Sequence, residues 1–115
     1  MADCIFCRIA SGEIPASVVK RSVDALAFHD LTPQAPTHLI IIPTKHYAAA
    51  RDARGPEGEA VLGKLFVFAT EVATQHGLDA GGYRLVTNTG PDGGQSVFHL
   101  HLHLLGGRKL GWPPG

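Results

Sequence analysis

The sequence predicts an α+β fold: an antiparallel sheet with one long helix laid against one face. Two observations carry the prediction. Strand-like runs stand on both sides of a single stretch of helical period, so the order is strands, helix, strands. From Phe98 to Leu104 apolar residues and histidines alternate strictly, which is the period of a strand with one apolar face. The 115 residues fit one domain, spanning 1–115, and leave no room for a second.

Residues 3–10 read as a short helix, with Asp3 placed to cap it and Gly12 just past its end. Pro15 opens two β-rich runs, 16–21 and 25–29, joined by Ser22-Val23-Asp24 in a hairpin signal. Residues 30–37 hold two prolines and form an ordered loop. Residues 38–42 are a dense aliphatic strand ended by Pro43, and a continuous apolar run of this kind implies burial on both faces. Residues 55–58 read as a break. Residues 59–76 form the long helix, because Leu62, Leu65, Phe66, Ala69, Val72, Ala73 and His76 follow the helical template and Gly77 suits the position after its end. Val61, Val67 and Phe68 fall off that stripe, which predicts a second apolar face covered by a partner subunit. Residues 83–88 are a strand, 89–95 a tight loop with three glycines, and 97–105 the last strand. Residues 106–115 are a Gly/Pro-rich tail carrying the only tryptophan, Trp112.

Composition narrows the function. With 44% hydrophobic and 17% charged residues the chain is ordinary for a globular protein. Its formal net charge of zero shows no steering toward nucleic acid or membrane, which leaves small ligands as the expected partners. No apolar run approaches the roughly 18 residues of a membrane span. The N-terminus has no basic stretch followed by an apolar one, so it is not a secretory signal. The expected compartment is the cytoplasm, where Cys4 and Cys7 stay reduced.

The chemistry concentrates in Val97-Phe98-His99-Leu100-His101-Leu102-His103-Leu104-Leu105. On a strand, His99, His101 and His103 share one face, and Phe98, Leu100, Leu102 and Leu104 share the other. Successive residues on one face stand about 6.6 Å apart, so His99 and His103 are roughly 13 Å apart at the backbone. A zinc–nitrogen bond is about 2.0–2.1 Å, so three histidines of a straight strand do not converge on one ion. The row is better read as three neighbouring jobs. Just upstream lies Asn88-Thr89-Gly90-Pro91-Asp92-Gly93-Gly94-Gln95-Ser96. Glycines let backbone N–H groups approach a phosphate, and Asn88, Gln95 and Ser96 add side-chain donors.

These segments resemble the histidine triad family. His99-Leu100-His101-Leu102-His103-Leu104-Leu105 matches its His-φ-His-φ-His-φ-φ signature. The rest of the chain, from Ile5 to Gly115, is similar to the Hint branch, the histidine triad nucleotide-binding proteins. Ala27-Phe28-His29-Asp30-Leu31-Thr32-Pro33-Gln34-Ala35-Pro36-Thr37-His38 looks like that branch's first ligand-binding segment. Gly93-Gly94-Gln95-Ser96-Val97 and Trp112-Pro113-Pro114-Gly115 look like its later ones. The resemblance implies a five-stranded antiparallel sheet per protomer, paired into a ten-stranded sheet across a homodimer. It also implies a purine nucleoside phosphoramidase, a hydrolase of P–N bonds acting through a nucleotidyl-histidine intermediate.

A phosphoramidate needs a nucleophile at phosphorus, stabilisation of the oxygens and a proton for the departing amine. Imidazole is a competent nucleophile at neutral pH when one nitrogen is free. His101, central in the row, is the expected nucleophile, with a backbone carbonyl holding its Nδ1–H and aiming Nε2. His103 is expected to hydrogen-bond phosphate oxygens. Ser96 and the amides of residues 94–96 are expected at the α-phosphate or the leaving nitrogen. His38 resembles the family's fourth histidine, behind the triad in a relay. Asp30 suits the ribose hydroxyls. Ile5, Phe6, Phe28 and Leu31 would wall the base pocket, with His29, Asn88, Gly94, Gln95 and Val97 as further nucleotide contacts. Trp112 matches a residue the branch places near the leaving group, reached across the dimer, so the tail 106–115 is expected to contribute to the active site.

Cys4-Ile5-Phe6-Cys7 admits three readings: two small apolar residues, a redox pair, or half of a zinc site. No βαβ pattern surrounds it, which disfavours the redox pair. The candidate further ligands are His46 and His99, an arrangement similar to that of bacterial relatives in the wider family. The expected cofactor is a structural Zn²⁺, with none required for the chemistry. The other readings of the site are another branch of the family acting on dinucleoside polyphosphates, a nucleotide-binding module without turnover, and a metal-dependent enzyme using an adjacent histidine pair.

Overall fold

The computed structural model describes residues 3–115. Five strands form one antiparallel sheet in the order β1-β2-β3-β5-β4: β1 is Val18–Arg21, β2 Ala25–His29, β3 Thr37–Pro43, β4 Tyr83–Val86 and β5 Leu102–Gly106. A short helix, α1 (Ile5–Ala10), precedes the sheet, and the long helix α2 (Gly55–Gln75) joins β3 to β4 after a 3₁₀ turn at Ala50–Asp52. The expected α+β architecture is present. Among the described residues no helix is long and apolar enough to cross a membrane.

The period of two assigns each strand residue to one of two cores. On one face Ala25, Ala27, Leu39, Ile41, Leu102 and Leu104 pack with Leu65, Phe68, Ala69, Val72 and Ala73 of α2. On the other, Leu26, Phe28 and Ile42 pack with Phe6 and Ile9 of α1. The doubly buried β3 is thus the centre of the sheet, as its unbroken apolar run predicts. Its antiparallel register sets Ile40 opposite His103, which brings the histidine strand to the α1 face.

Several expected boundaries move. Asp3 does not cap α1; the N-cap is Cys4, whose sulfur accepts from the Cys7 backbone N–H at 3.4 Å. β1 starts at Val18 rather than residue 16, since the Val18 N–H turns back onto Ala16 O, and a bulge between Val18 and Lys20 then interrupts its pairing with β2. β4 stops at Val86, not residue 88. Residues 55–58 are no break but the first turn of α2, where a proline near N1 is tolerated because that turn's N–H has no helical partner. The helix ends one residue early, at Gln75. Leu78 N–H then reaches Ala73 O and Gly77 N–H reaches Thr74 O, with Gly77 at φ +70°, the left-handed turn-off that glycine supplies. The buried stripe is also rotated from the one expected: Phe68 joins the core while Phe66 is 42% exposed and Val67 59%. Leu65, Phe68, Ala69, Val72 and Ala73 satisfy the same i, i+3, i+4, i+7 template one ridge over, so periodicity alone did not separate the two.

Gly58 packs onto the preceding turn: a Cβ there would stand 2.3 Å from the Ala53 carbonyl carbon. Gly58→Ala is therefore expected to cost about 1–3 kcal/mol of stability, as overpacking does. Urea denaturation checks it, and an unchanged midpoint would refute the contact.

The largest correction concerns the last strand. It does not begin at residue 97; β5 starts at Leu102. The ladder stops there: β4 ends at Val86 opposite His103, and β3, which runs on to Pro43, pairs with β5 only as far as Ile41 opposite Leu102. Upstream, the Leu100 N–H bonds Tyr47 O, the His101 carbonyl accepts from the Thr87 hydroxyl, and the His99 carbonyl accepts from a side chain. Phe98, expected on the apolar face with Leu100, Leu102 and Leu104, is instead 63% exposed.

Candidate active site and metal centre

Hydrogen-bond partners fix the state of each imidazole. The His99 carbonyl can only accept, and it lies 2.7 Å from His101 Nδ1. His101 therefore carries its proton on Nδ1, and Nε2 keeps a free lone pair. The Gln34 backbone N–H can only donate, and it lies 3.0 Å from His38 Nδ1. His38 is thus protonated on Nε2, which donates to His103 Nδ1 at 2.8 Å and has Asp30 Oδ2 at 3.4 Å. That leaves the His103 proton on Nε2. One backbone carbonyl and one backbone amide so dictate a lone pair on His101 and an N–H on His103, with ring centroids 5.0 Å apart.

Both rings line a cavity of about 310 Å³ between α1, β2 and the 96–103 segment. The expected residues Ile5, Phe6, Phe28, His29, Asp30, Leu31, Ser96, Val97, His101 and His103 all line it. Ile9, Ile14, Pro15, Ala16, Ser17 and Ile40 line it too, and sequence reasoning missed them. Helical spacing from Ile5 and Phe6 points to Ile9, and strand alternation from His38 points to Ile40; the turn at 14–17 carried no comparable signal.

Asn88, Gly94, Gln95 and Trp112 are not in the lining. The Gln95 amide braces the glycine loop instead, its Oε1 accepting from Gly90 N–H and its Nε2 donating to Ala48 O and Val97 O. The Gly94 and Gln95 N–H groups close the turn onto Pro91 and Gly90 carbonyls. Gly93 leaves no room for a side chain, since a Cβ would stand 2.5 Å from Thr89 O. The loop's contribution to the cavity wall is Ser96 and Val97. Trp112 is 83% exposed, in a tail tied down by Arg84 Nη2 donating to Gly111 O.

A second constellation adjoins the first. Cys4, Cys7, His46 and His99 gather their ligand atoms within 4.8 Å of one another. His99 Nε2 donates to Pro43 O at 3.0 Å, so its Nδ1 is a lone pair. That nitrogen lies 3.3 Å from Cys4 Sγ, 3.5 Å from Cys7 Sγ and 3.1 Å from His46 Nδ1, and His46 Nδ1 lies 3.3 Å from Cys7 Sγ. Around a tetrahedral zinc, nitrogens stand about 3.3 Å from each other and about 3.6 Å from sulfur. The separations fit a Cys₂His₂ site, and the donor types are those zinc prefers. Burial, with Cys4 beside it, raises the Cys7 thiol above its ordinary value, so metal would bind by displacing a proton.

Burial also lowers the His101 imidazole and takes His103 and His99 down to about 4, with neighbouring histidines adding to the fall for the last two. The rings are therefore neutral at physiological pH, as a nucleophile and a metal ligand require. Because these groups bind protons less readily in the folded chain, stability of the metal-free protein is expected to fall as pH drops from about 6.5 toward 4 and to be insensitive to them above that window. Thermal unfolding at about pH 7, 6 and 5 tests this, and a midpoint that rises on acidification would contradict it.

The fold and site define an α+β protein with a histidine-lined, largely apolar cavity beside a Cys₂His₂ donor set. The family model of the HIT domain matches residues 11–110, and the chain belongs to the HIT family. It is 46% identical over 114 residues to a 14 kDa zinc-binding protein of Brassica juncea, covering 98% of this chain and 100% of that one. The crystal structure of a HIT family hydrolase from Legionella pneumophila superposes with a TM-score of 0.94 at 51% identity, covering 98% of this chain and 100% of that one. A histidine triad nucleotide-binding protein from Candida albicans superposes at 0.82 with 30% identity, covering 96% and 83%.

Proposed function

We propose that this chain is a purine nucleotide-binding hydrolase that cleaves the P–N bond of nucleoside 5′-phosphoramidates through a nucleotidyl-His101 intermediate. The observation that carries the reading is the His99 carbonyl holding His101 Nδ1 at 2.7 Å, which leaves Nε2 free beside the cavity. The names of the Legionella hydrolase and the Candida nucleotide-binding protein agree with it.

In the first step His101 Nε2 forms a bond to phosphorus and the P–N bond breaks, the departing nitrogen taking a proton from solvent. In the second, water attacks phosphorus, the Nε2–P bond breaks, the proton shed by the water returns to solvent, and the nucleoside monophosphate departs. His103 donates its Nε2–H to a phosphoryl oxygen as negative charge grows there. His38 and Asp30 hold His103 in the tautomer that can donate. Ser96 binds the phosphate end, Asp30 meets the ribose, and Ile5, Phe6, Phe28 and Leu31 take the base. His29 and Val97 complete the cavity contacts, while Asn88, Gly94 and Gln95 act by shaping the loop.

Cys4, Cys7, His46 and His99 would hold a structural Zn²⁺, consistent with the name of the Brassica relative. Such an ion supplies a fixed crosslink and no chemistry at phosphorus. The protein is proposed to act as a homodimer, joined at the β4 edge and the exposed Phe66 and Val67 of α2, with Trp112 serving the partner's site.

Hydrolysis of adenosine 5′-phosphoramidate and of a lysyl-adenylate by the purified protein tests the reading. Release of AMP from both is expected. Cleavage of dinucleoside polyphosphates in preference to either would replace the proposal with another branch of the family.

A further inference from the structure

We propose that Phe6 is a positioning residue for His101, seated by the Cys4–Cys7–His46–His99 centre. This rests on the reading of His101 as the nucleophile. A single hydrogen bond at Nδ1 holds one corner of the His101 ring but leaves its plane free to tilt. Two aromatic rings stand against that plane. His103, at 5.0 Å, is itself held by His38. Phe6 meets His101 edge to face, with centroids 5.1 Å apart and planes at 88°. The same buried ring is edge-on to His99 at 5.9 Å and to Phe28 at 5.6 Å.

What holds Phe6 is therefore part of what aims the nucleophile. α1 has six residues, too few for a helix to persist alone. Phe6 lies between Cys4 and Cys7, whose sulfurs approach His99 Nδ1 and His46 Nδ1 across the chain. Coordination of those four residues would clamp α1 to the sheet at both sides of Phe6. His99 then reaches the nucleophile twice, through its carbonyl on His101 Nδ1 and through the α1 segment its ring helps to anchor.

The test compares metal-loaded wild type with Phe6→Leu and Phe6→Met, both apolar but lacking the ring edge. Two variants keep a folding defect of one from deciding the result. Misplacement of a reacting group by about 1 Å can cost about a hundredfold in rate, so kcat is expected to fall roughly tenfold or more with KM within about threefold. Metal content should stay at wild type. Imidazole ¹⁵N NMR should show His101 as a single Nδ1–H tautomer in wild type, and as a mixture in the variants and in chelator-treated wild type. Variants that raise KM alone, with the single tautomer kept, would make Phe6 only a wall of the cavity and overturn the proposal. A single tautomer in metal-free wild type would overturn the role of the centre in seating Phe6. His101→Ala separates the two levels: if that variant still turns over, the nucleophile assignment fails, whatever Phe6 does.

Discussion

Replacing His101 with alanine is expected to abolish phosphoramidate hydrolysis, with a loss of roughly 10⁴-fold or more in kcat. The covalent route has no substitute for the Nε2 lone pair. His103 cannot supply one, because His38 donates to its Nδ1 and so keeps its proton on Nε2. His99 cannot either, since its Nδ1 faces the two thiols and His46. AMP binding should survive within about tenfold, because the apolar walls and Asp30 are untouched. Titration with AMP and a single-turnover assay on the same sample separate the two effects. Full activity in the alanine variant would refute the mechanism, and loss of both binding and turnover would point to a collapsed cavity.

Stripping the metal, or replacing Cys7 with serine, is expected to lower the thermal midpoint by about 10 °C or more, the size of a loss of a few kcal/mol in a domain of this length. The effect follows from geometry. The four donors come from α1, from the segment after β3 and from the segment before β5, so one ion would tie three parts of the chain. Without the ion, the two thiols and the facing Nδ1 atoms of the two imidazoles crowd one partly buried space, with contacts of 3.1–3.5 Å between them and no cation to bridge them. Elemental analysis should give about one zinc per chain, as a closed four-ligand site holds. Substoichiometric zinc that EDTA removes with no change in midpoint would rule out a structural site.

Much of this was legible because the signals were chemical and local. The run Leu39-Ile40-Ile41-Ile42 announced a strand buried on both faces, and β3 is the centre of the sheet. The cysteine pair with His46 and His99 was legible as a donor set, and the structure brings those four together. The end of the strand at 97–105 was not legible. Alternation tells which way a side chain faces; it says nothing of whether a neighbouring strand is there to pair. Residues 97–101 face as a strand would at three of the expected positions, His99, Leu100 and His101, yet they precede the ladder: β4 ends at Val86, and β3, though it runs on to Pro43, pairs with β5 only as far as Ile41. Capping by Cys4 escaped notice for a similar reason, as sulfur is a poor acceptor and Asp3 the better one on propensity.

The cavity's lining bears on fidelity. It is mostly aliphatic and aromatic, and its polar groups include Asp30, Ser96, His101 and His103. Apolar walls reject a wrong shape by only about 1–3 kcal/mol, whereas a site built to hydrogen-bond a group rejects its absence by 10⁴ or more. Selection of this kind would be lenient toward the identity of a base and strict about the ribose and phosphate groups that the polar residues bind.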